Sequence, residues 1–412
     1  MTISGTLKCS TCGNKIRIRY QVGCINPMIV REGCRKCGKL IKGTIDQKSE
    51  LFDFGSDEFD SSYTETNQTI SISTELPIPK KANQNGFAPL TPFMALVPIM
   101  GGFEKIKKFG YEIKSLQNFY DDNFDNFSLL NELLQNDSIN YLLEEAKKKF
   151  RNSLSLEFDG FDEYSSVVNE VINDFFKHIE TNYYKQNYRD VILSDIFEPN
   201  KTKISDLRDL STQLNQYIDL KAEYRKGVAL INRFLTHIKS FLPVVVLAYN
   251  NDYTKEYGDE LKITTFDFLE LKELYVEQFE FLTRLSSLHF GLLNLAERND
   301  FDDFGIIPDC NILEDYQKKD NGSKKEVIKK ANVLNDYFIN TLNSQIRNGL
   351  GHLKTKYDPV THEITYYPYK DKAKINRSKS IYLIDFAYLV FQQILKVRDT
   401  LFLIQKFGKA IK

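Results

Sequence analysis

The sequence predicts a mainly α-helical fold with a small β module at its N-terminus, on three grounds. Beyond residue 103, apolar residues recur at helical spacing through most of the chain. Five of the six cysteines fall within the first 37 residues, four of them in two Cys-x-x-Cys-Gly pairs. Between the pairs, Lys15-Ile16-Arg17-Ile18-Arg19-Tyr20 alternates polar and apolar as a strand does. The expected divisions are residues 1–48 for the β module, 49–103 for an extended connector, 104–214 for a helical middle region, and 215–412 for a C-terminal helical domain.

The chain has 412 residues, enough for two or three domains with a substantial core. A formal charge of −1 gives no global basic field, so any contact with nucleic acid must be local. No apolar run follows Met1 before the first cysteine, which argues against a signal peptide. The stretch 86–103 is apolar but broken by Pro89, Pro92 and Pro98, and 241–249 is too short to span a bilayer. A cytoplasmic chain with no membrane contact is expected.

The knuckles are Cys9-Ser10-Thr11-Cys12-Gly13 and Cys34-Arg35-Lys36-Cys37-Gly38. Each glycine lets backbone amides turn toward the sulfurs while two thiolates converge on one ion. Together they read as a zinc ribbon, with 21 residues between Cys12 and Cys34 absorbed by a long hairpin. Four cysteines close the coordination sphere, so Zn2+ here is structural. Disulfides in a secreted protein are the competing reading, opposed by the missing signal peptide. Cys24 and Cys310 are expected to be spare thiols. Residues 1–43 carry nine basic side chains against Glu32 alone, and acidic residues follow from Asp46 to Glu65. The ribbon's charge suits either phosphates or docking on that acidic segment.

In the connector, Thr69 to Ser73 alternates as a short strand, and Pro77, Pro79, Pro89, Pro92 and Pro98 forbid a continuous helix. Its apolar residues, among them Phe93, Met94 and Leu96, argue for packing on the helical body over a disordered tether. Helical stripes then follow at Leu129 to Leu134, at Val167 to Phe176, and from about Ile204 to Phe241, stopping before Pro243. His178 and His237 on these stripes read as structural or exposed. Lys147-Lys148-Lys149 reads as a solvated last turn, with a phosphate contact as the alternative.

From about residue 264 a helix of more than thirty residues is predicted through Phe279, Leu285 and Leu292. Ser323 to Glu326 reads as a capping box opening a helix through Val327, Leu334 and Leu342 that ends at Arg347-Asn348, with Gly349 as its stop. A hairpin, Ile364 to Tyr367 and Ile381 to Ile384, precedes a final helix from about Asp385 to Phe407.

Arg347 and His352 carry the chemistry that stands out. A guanidinium fork suits a phosphate, and an imidazole near neutrality can take and return a proton. Together they can activate a ribose 2′-hydroxyl and stabilise the attacked phosphate without a metal. The plainer reading makes Arg347 a helix cap and His352 a loop residue. Lys354, Lys356, Lys370 and Lys372, with nearby tyrosines, would form an RNA-contacting rim or else solvated turns.

Long helices with Arg347-Asn348-x-x-x-His352 at the end of the penultimate one resemble the HEPN superfamily, over about residues 215–412. The resemblance implies a HEPN-like bundle with the hairpin as an insertion. It also implies a metal-independent endoribonuclease site of Arg347, His352 and Asn348, usually composite across a homodimer. One branch carries a tyrosine two residues after the histidine; Lys354 stands there in this chain, against membership of that toxin and antitoxin pairing. Some members bind without activity. The resemblance further implies an antiviral or growth-arrest role with a regulatory partner or phage-derived trigger. The alternative is a non-catalytic nucleic-acid-binding or scaffold protein that uses the ribbon. A zinc hydrolase ranks third, because the histidines form no His-Glu-x-x-His pattern.

Overall fold

The computed structural model describes residues 2–62, 66–80, 91–150, 161–179, 203–248, 257–307, 309–338, 341–351, 355–368 and 377–412. The fold is mainly helical, with small β-sheets at the N-terminus and near the C-terminus. The chain divides into two compact units, each assembled from separated segments. The first takes 1–118, 236–273 and 348–391; the second takes 119–235, 274–347 and 392–412.

In the first unit, strands β1 (Thr2–Lys8), β2 (Lys15–Gln21), β6 (Glu58–Asp60) and β7 (Gln68–Ile72) form a four-stranded sheet in the order β6-β1-β2-β7. Strands β3 (Met28–Gly33), β4 (Leu40–Asp46) and β5 (Leu51–Asp53) form a second, antiparallel sheet. The alternation in β2 buries Ile16, Ile18 and Tyr20, which share a core with Val30, Ile41 and Ile72. Phe52 stacks on Phe59 at 4.3 Å, so β5 and β6 close over that core. The stretch expected to be an extended connector thus supplies β5, β6 and β7, and then β8 (Ile78–Pro79), which pairs with β9 (Leu261–Lys262). After it, helix α1 (Pro92–Ile99) starts on a Thr91 hydroxyl that accepts from the Met94 amide.

The expected C-terminal hairpin is present as β11 (Glu363–Tyr366) against β12 (Lys379–Tyr382), with a further strand, β10 (Thr355–Asp358), completing an antiparallel sheet. Alternation in β10 is weak: Thr355, Tyr357 and Asp358 are half-buried and Lys356 is exposed, so no face is fully buried.

In the second unit, the helix Phe161–Phe176 buries its stripe of Val167, Val168, Val171, Ile172 and Phe175. The Tyr224 hydroxyl, fully buried, donates to Ser165 O and lies 3.0 Å from Asn169 Oδ1. Gly227 and Gly291 have no room for a side chain: a Cβ would fall 2.6 Å from Leu401 and 2.4 Å from Leu210.

Two expected helices differ in their boundaries. The stripe from Ile204 to Phe241 is three helices, Ile204–Asn215, Leu220–Thr236 and Ile238–Ala248, and Pro243 lies inside the last one. Every residue of that last helix except Lys239 is buried, and this burial outweighs the backbone bond that proline forgoes. The helix expected from Ser323 to Arg347 is also three pieces, Asn321–Ile328, Asn332–Phe338 and Ser344–Gly351. Its first cap is Asp320, which accepts from the Ser323 amide at 2.8 Å, and not Ser323. The break before Ser344 survives because side chains satisfy its carbonyls. Gln393 Nε2 donates to Thr341 O at 2.8 Å, and the Tyr275 hydroxyl donates to Asn343 O at 2.9 Å. Two long helices are seen much as expected: Phe268–Arg298 and Leu383–Ala410. No single helix among the described residues is long and apolar enough to cross a membrane.

Candidate functional site: a four-cysteine centre and a held arginine

The sulfurs of Cys9, Cys12, Cys34 and Cys37 all lie within 4.8 Å of one another. Cys9 and Cys37 are 3.8 Å apart and Cys12 and Cys34 3.6 Å, too far for disulfides. Four sulfurs about 2.3 Å from one ion in a tetrahedron would stand roughly 3.8 Å apart, so the donor set fits a thiophilic metal ion. Cys24 and Cys310 take no part in the cluster.

Two matching loops build the centre. In the first, Gly13 N donates to Cys9 O at 2.8 Å and Cys9 N to Asn14 O at 3.0 Å; in the second, Gly38 N donates to Cys34 O at 2.8 Å and Cys34 N to Lys39 O at 2.9 Å. Gly13 and Gly38 adopt φ of 69° and 74°, which explains the glycine after each pair. Gln68 ties the loops together: its Oε1 accepts from Arg35 N at 2.9 Å and Asn14 Nδ2 at 3.3 Å, and its Nε2 donates to Gly33 O at 3.1 Å. Nothing in the sequence marks this glutamine, since its role depends on the parallel pairing of β2 with β7. Burial pushes the Cys34 thiol up, but amide donation from Cys37 and Lys36 and its thiol neighbours bring it down to about 7.

Part of the ribbon's positive charge is met by the acidic segment after it. Lys8 pairs with Glu58 at 3.2 Å, and Lys39 with Asp57 at 2.7 Å, whose carboxylate also accepts from Ser10 N in the first knuckle. Lys15, Arg35 and Lys36 remain on the exposed surface around the knuckles.

Arg347 does not end a helix. It sits in the first turn of Ser344–Gly351, capped by Asn343, whose Oδ1 accepts from Gln345 N at 3.1 Å and Ile346 N at 3.2 Å. Its Nε and Nη2 reach Glu280 Oε1 at 2.7 Å and 2.5 Å, while Asn321 Nδ2 donates to Glu280 Oε2 at 2.5 Å. The pair keeps about a third of its surface, with Arg347 29% and Glu280 34% exposed. Glu280 and Asn321 are functional candidates that sequence reasoning missed, because both lie far from the motif in sequence. Gly349 is helical and not a stop; its missing side chain admits Tyr366, whose Cβ would lie 2.8 Å from an added Cβ.

Asn348 is half-buried, and the division between the compact units falls between Arg347 and Asn348. His352, Lys354, Lys370 and Lys372 lie outside the described residues, whereas Lys356 is exposed on β10 opposite Thr365. His178 and His237 are half-buried. His289 is buried 3.0 Å from the Thr400 hydroxyl, with burial lowering its pKa to about 3.

Comparison with protein-family models, with curated proteins and with solved structures found no match.

Proposed function

We propose that this chain is a metal-independent endoribonuclease of HEPN type, with the four-cysteine centre holding a structural Zn2+. One observation carries the reading: the arginine of Arg-Asn-x-x-x-His stands on a capped helix, held through its Nε and Nη2 edge by Glu280, with part of its surface open. An arginine so held meets a phosphate without first losing side-chain freedom. In this reading His352 takes the proton from a ribose 2′-hydroxyl, or returns one to the leaving 5′-oxygen. The 2′-oxygen bonds to phosphorus as the bond to the 5′-oxygen breaks, leaving a 2′,3′-cyclic phosphate. Arg347 neutralises the charge on the phosphoryl oxygens, and Asn348 orients the histidine or the phosphate. Lys354, Lys356, Lys370 and Lys372 would contact the RNA backbone. A homodimer, a cytoplasmic setting, and an antiviral or growth-arrest role under a regulatory trigger complete the proposal.

The test is cleavage of labelled RNA by the purified chain in chelator, comparing wild type with Arg347→Ala and His352→Ala. Cleavage only by wild type, ending in a cyclic phosphate, is expected; equal cleavage by all three would exclude this site. The exposed Lys15, Arg35 and Lys36 favour a second reading, a nucleic-acid-binding scaffold. It predicts that charge reversal at those three positions abolishes RNA binding while Arg347→Ala leaves it unchanged.

A further inference from the structure

Strand β3 ends at the second knuckle, and the same strand carries the contacts of the C-terminal sheet. Gly33, one residue before Cys34, donates its amide to Pro359 O at 2.9 Å. A Cβ on Gly33 would lie 2.7 Å from the Pro359 carbonyl and from Val360 Cγ2, so only glycine lets the turn between β10 and β11 come this close. The Gly33 carbonyl is taken by Gln68, the residue that ties the two knuckles. Both backbone groups of one residue thus serve the metal centre on one side and the distant turn on the other.

Glu32, the next residue back, is 2% exposed and points into the same junction. Its Oε2 accepts from Lys262 Nζ on β9 and lies 3.2 Å from His362 Nε2, without a well-aligned hydrogen bond to it. His362 Nδ1 lies 3.1 Å from the Tyr357 hydroxyl, and Tyr357 stacks on Phe268 at 5.3 Å. The His362 backbone, at φ 58°, is bonded at both ends: its amide donates to Asp358 O and its carbonyl accepts from Leu383 N, each at 2.8 Å. A buried carboxylate is costly once its partners leave, so undocking of the turn would expose Glu32 or strand it.

We propose that metal occupancy of the four-cysteine centre and docking of the β10–β12 sheet are coupled through Glu32 and Gly33, so that the centre controls whether this sheet is held. A bound ion fixes Cys34, which fixes the register of Gly33 and Glu32 against turn 359–362; loss of the ion frees that strand end and the docked turn with it. Coupling of this kind is reciprocal, so loosening the turn must weaken the hold on the metal. The coupling is independent of the ribonuclease reading, although β10 begins three residues after His352 in sequence.

Hydrogen exchange read by mass spectrometry on the full chain tests this, with zinc loaded and then with chelator. Peptides covering 28–46 and 355–366 are expected to lose protection together, while one covering 220–235 keeps it. In the reverse direction, Gly33→Ala and His362→Ala should release zinc to a chromogenic chelator about five-fold faster or more than wild type. His362 lies far from the cysteines in sequence, so its variant reports the coupling even if the Gly33 variant does not fold. Retained protection at 355–366 in chelator, loss of protection in all three peptides, or wild-type zinc release from a His362→Ala chain with a loosened 355–366 would each overturn the proposal.

Discussion

A methyl group at position 349 would sit 2.8 Å from Tyr366 Cβ, inside any real contact distance. Alanine would gain about 1 kcal/mol of helix propensity there, but overpacking typically costs about 1–3 kcal/mol. Gly349→Ala should therefore lower stability, read as a smaller denaturant midpoint. Arg347→Ala should behave differently. Its partner Glu280 is about a third exposed, so the pair is expected to contribute less than about 1 kcal/mol. Loss of RNA cleavage with a nearly unchanged melting temperature would separate a functional arginine from a structural one. His289 supplies a pH signature. Burial lowers its folded pKa from 6.5 to about 3, so between these values the unfolded chain binds a proton that the folded chain refuses. Stability should fall as pH drops through that window, by up to about 1.4 kcal/mol per pH unit, and His289→Gln should flatten the slope in denaturant titrations.

Among the elements, the two knuckles and the broken helix make separate claims. Each knuckle contributes two sulfurs to one site, so the purified chain should carry one metal ion, as measured by elemental analysis. Cys34→Ser should lose it, and Cys24→Ser should keep it. At the helix break, Gln393 is buried and donates to Thr341 O. Gln393→Ala should cost about 1–3 kcal/mol in equilibrium unfolding, the usual penalty for leaving a buried acceptor without its donor. The knuckles were legible because ligand chemistry fixes both residue type and spacing. The break at 341–343 was not. Apolar spacing continues across it, and the side chains that tolerate it, Gln393 and Tyr275, come from distant parts of the sequence.

For the assembled protein, a composite site shared by two chains makes a sharper prediction than either variant alone. Arg347→Ala and His352→Ala chains, each inactive, should recover about a quarter of wild-type cleavage when mixed equally and allowed to exchange. Half the dimers would then be mixed, and each mixed dimer would regain one of its two sites. A site built within one chain would recover nothing. Local chemistry and periodicity made the helical character, the four-cysteine cluster and the C-terminal hairpin readable from the residues, because each is written at short range. Long-range contacts wrote the rest. The compact units are built from separated segments, β6 and β7 complete the first sheet from a stretch that reads as a connector, and Gln68 joins the knuckles. Glu280 reaches Arg347 across 67 positions, and Gly33 meets Pro359 across more than three hundred. Such pairings depend on which surfaces close together when the core is buried, and no sequence window contains both partners.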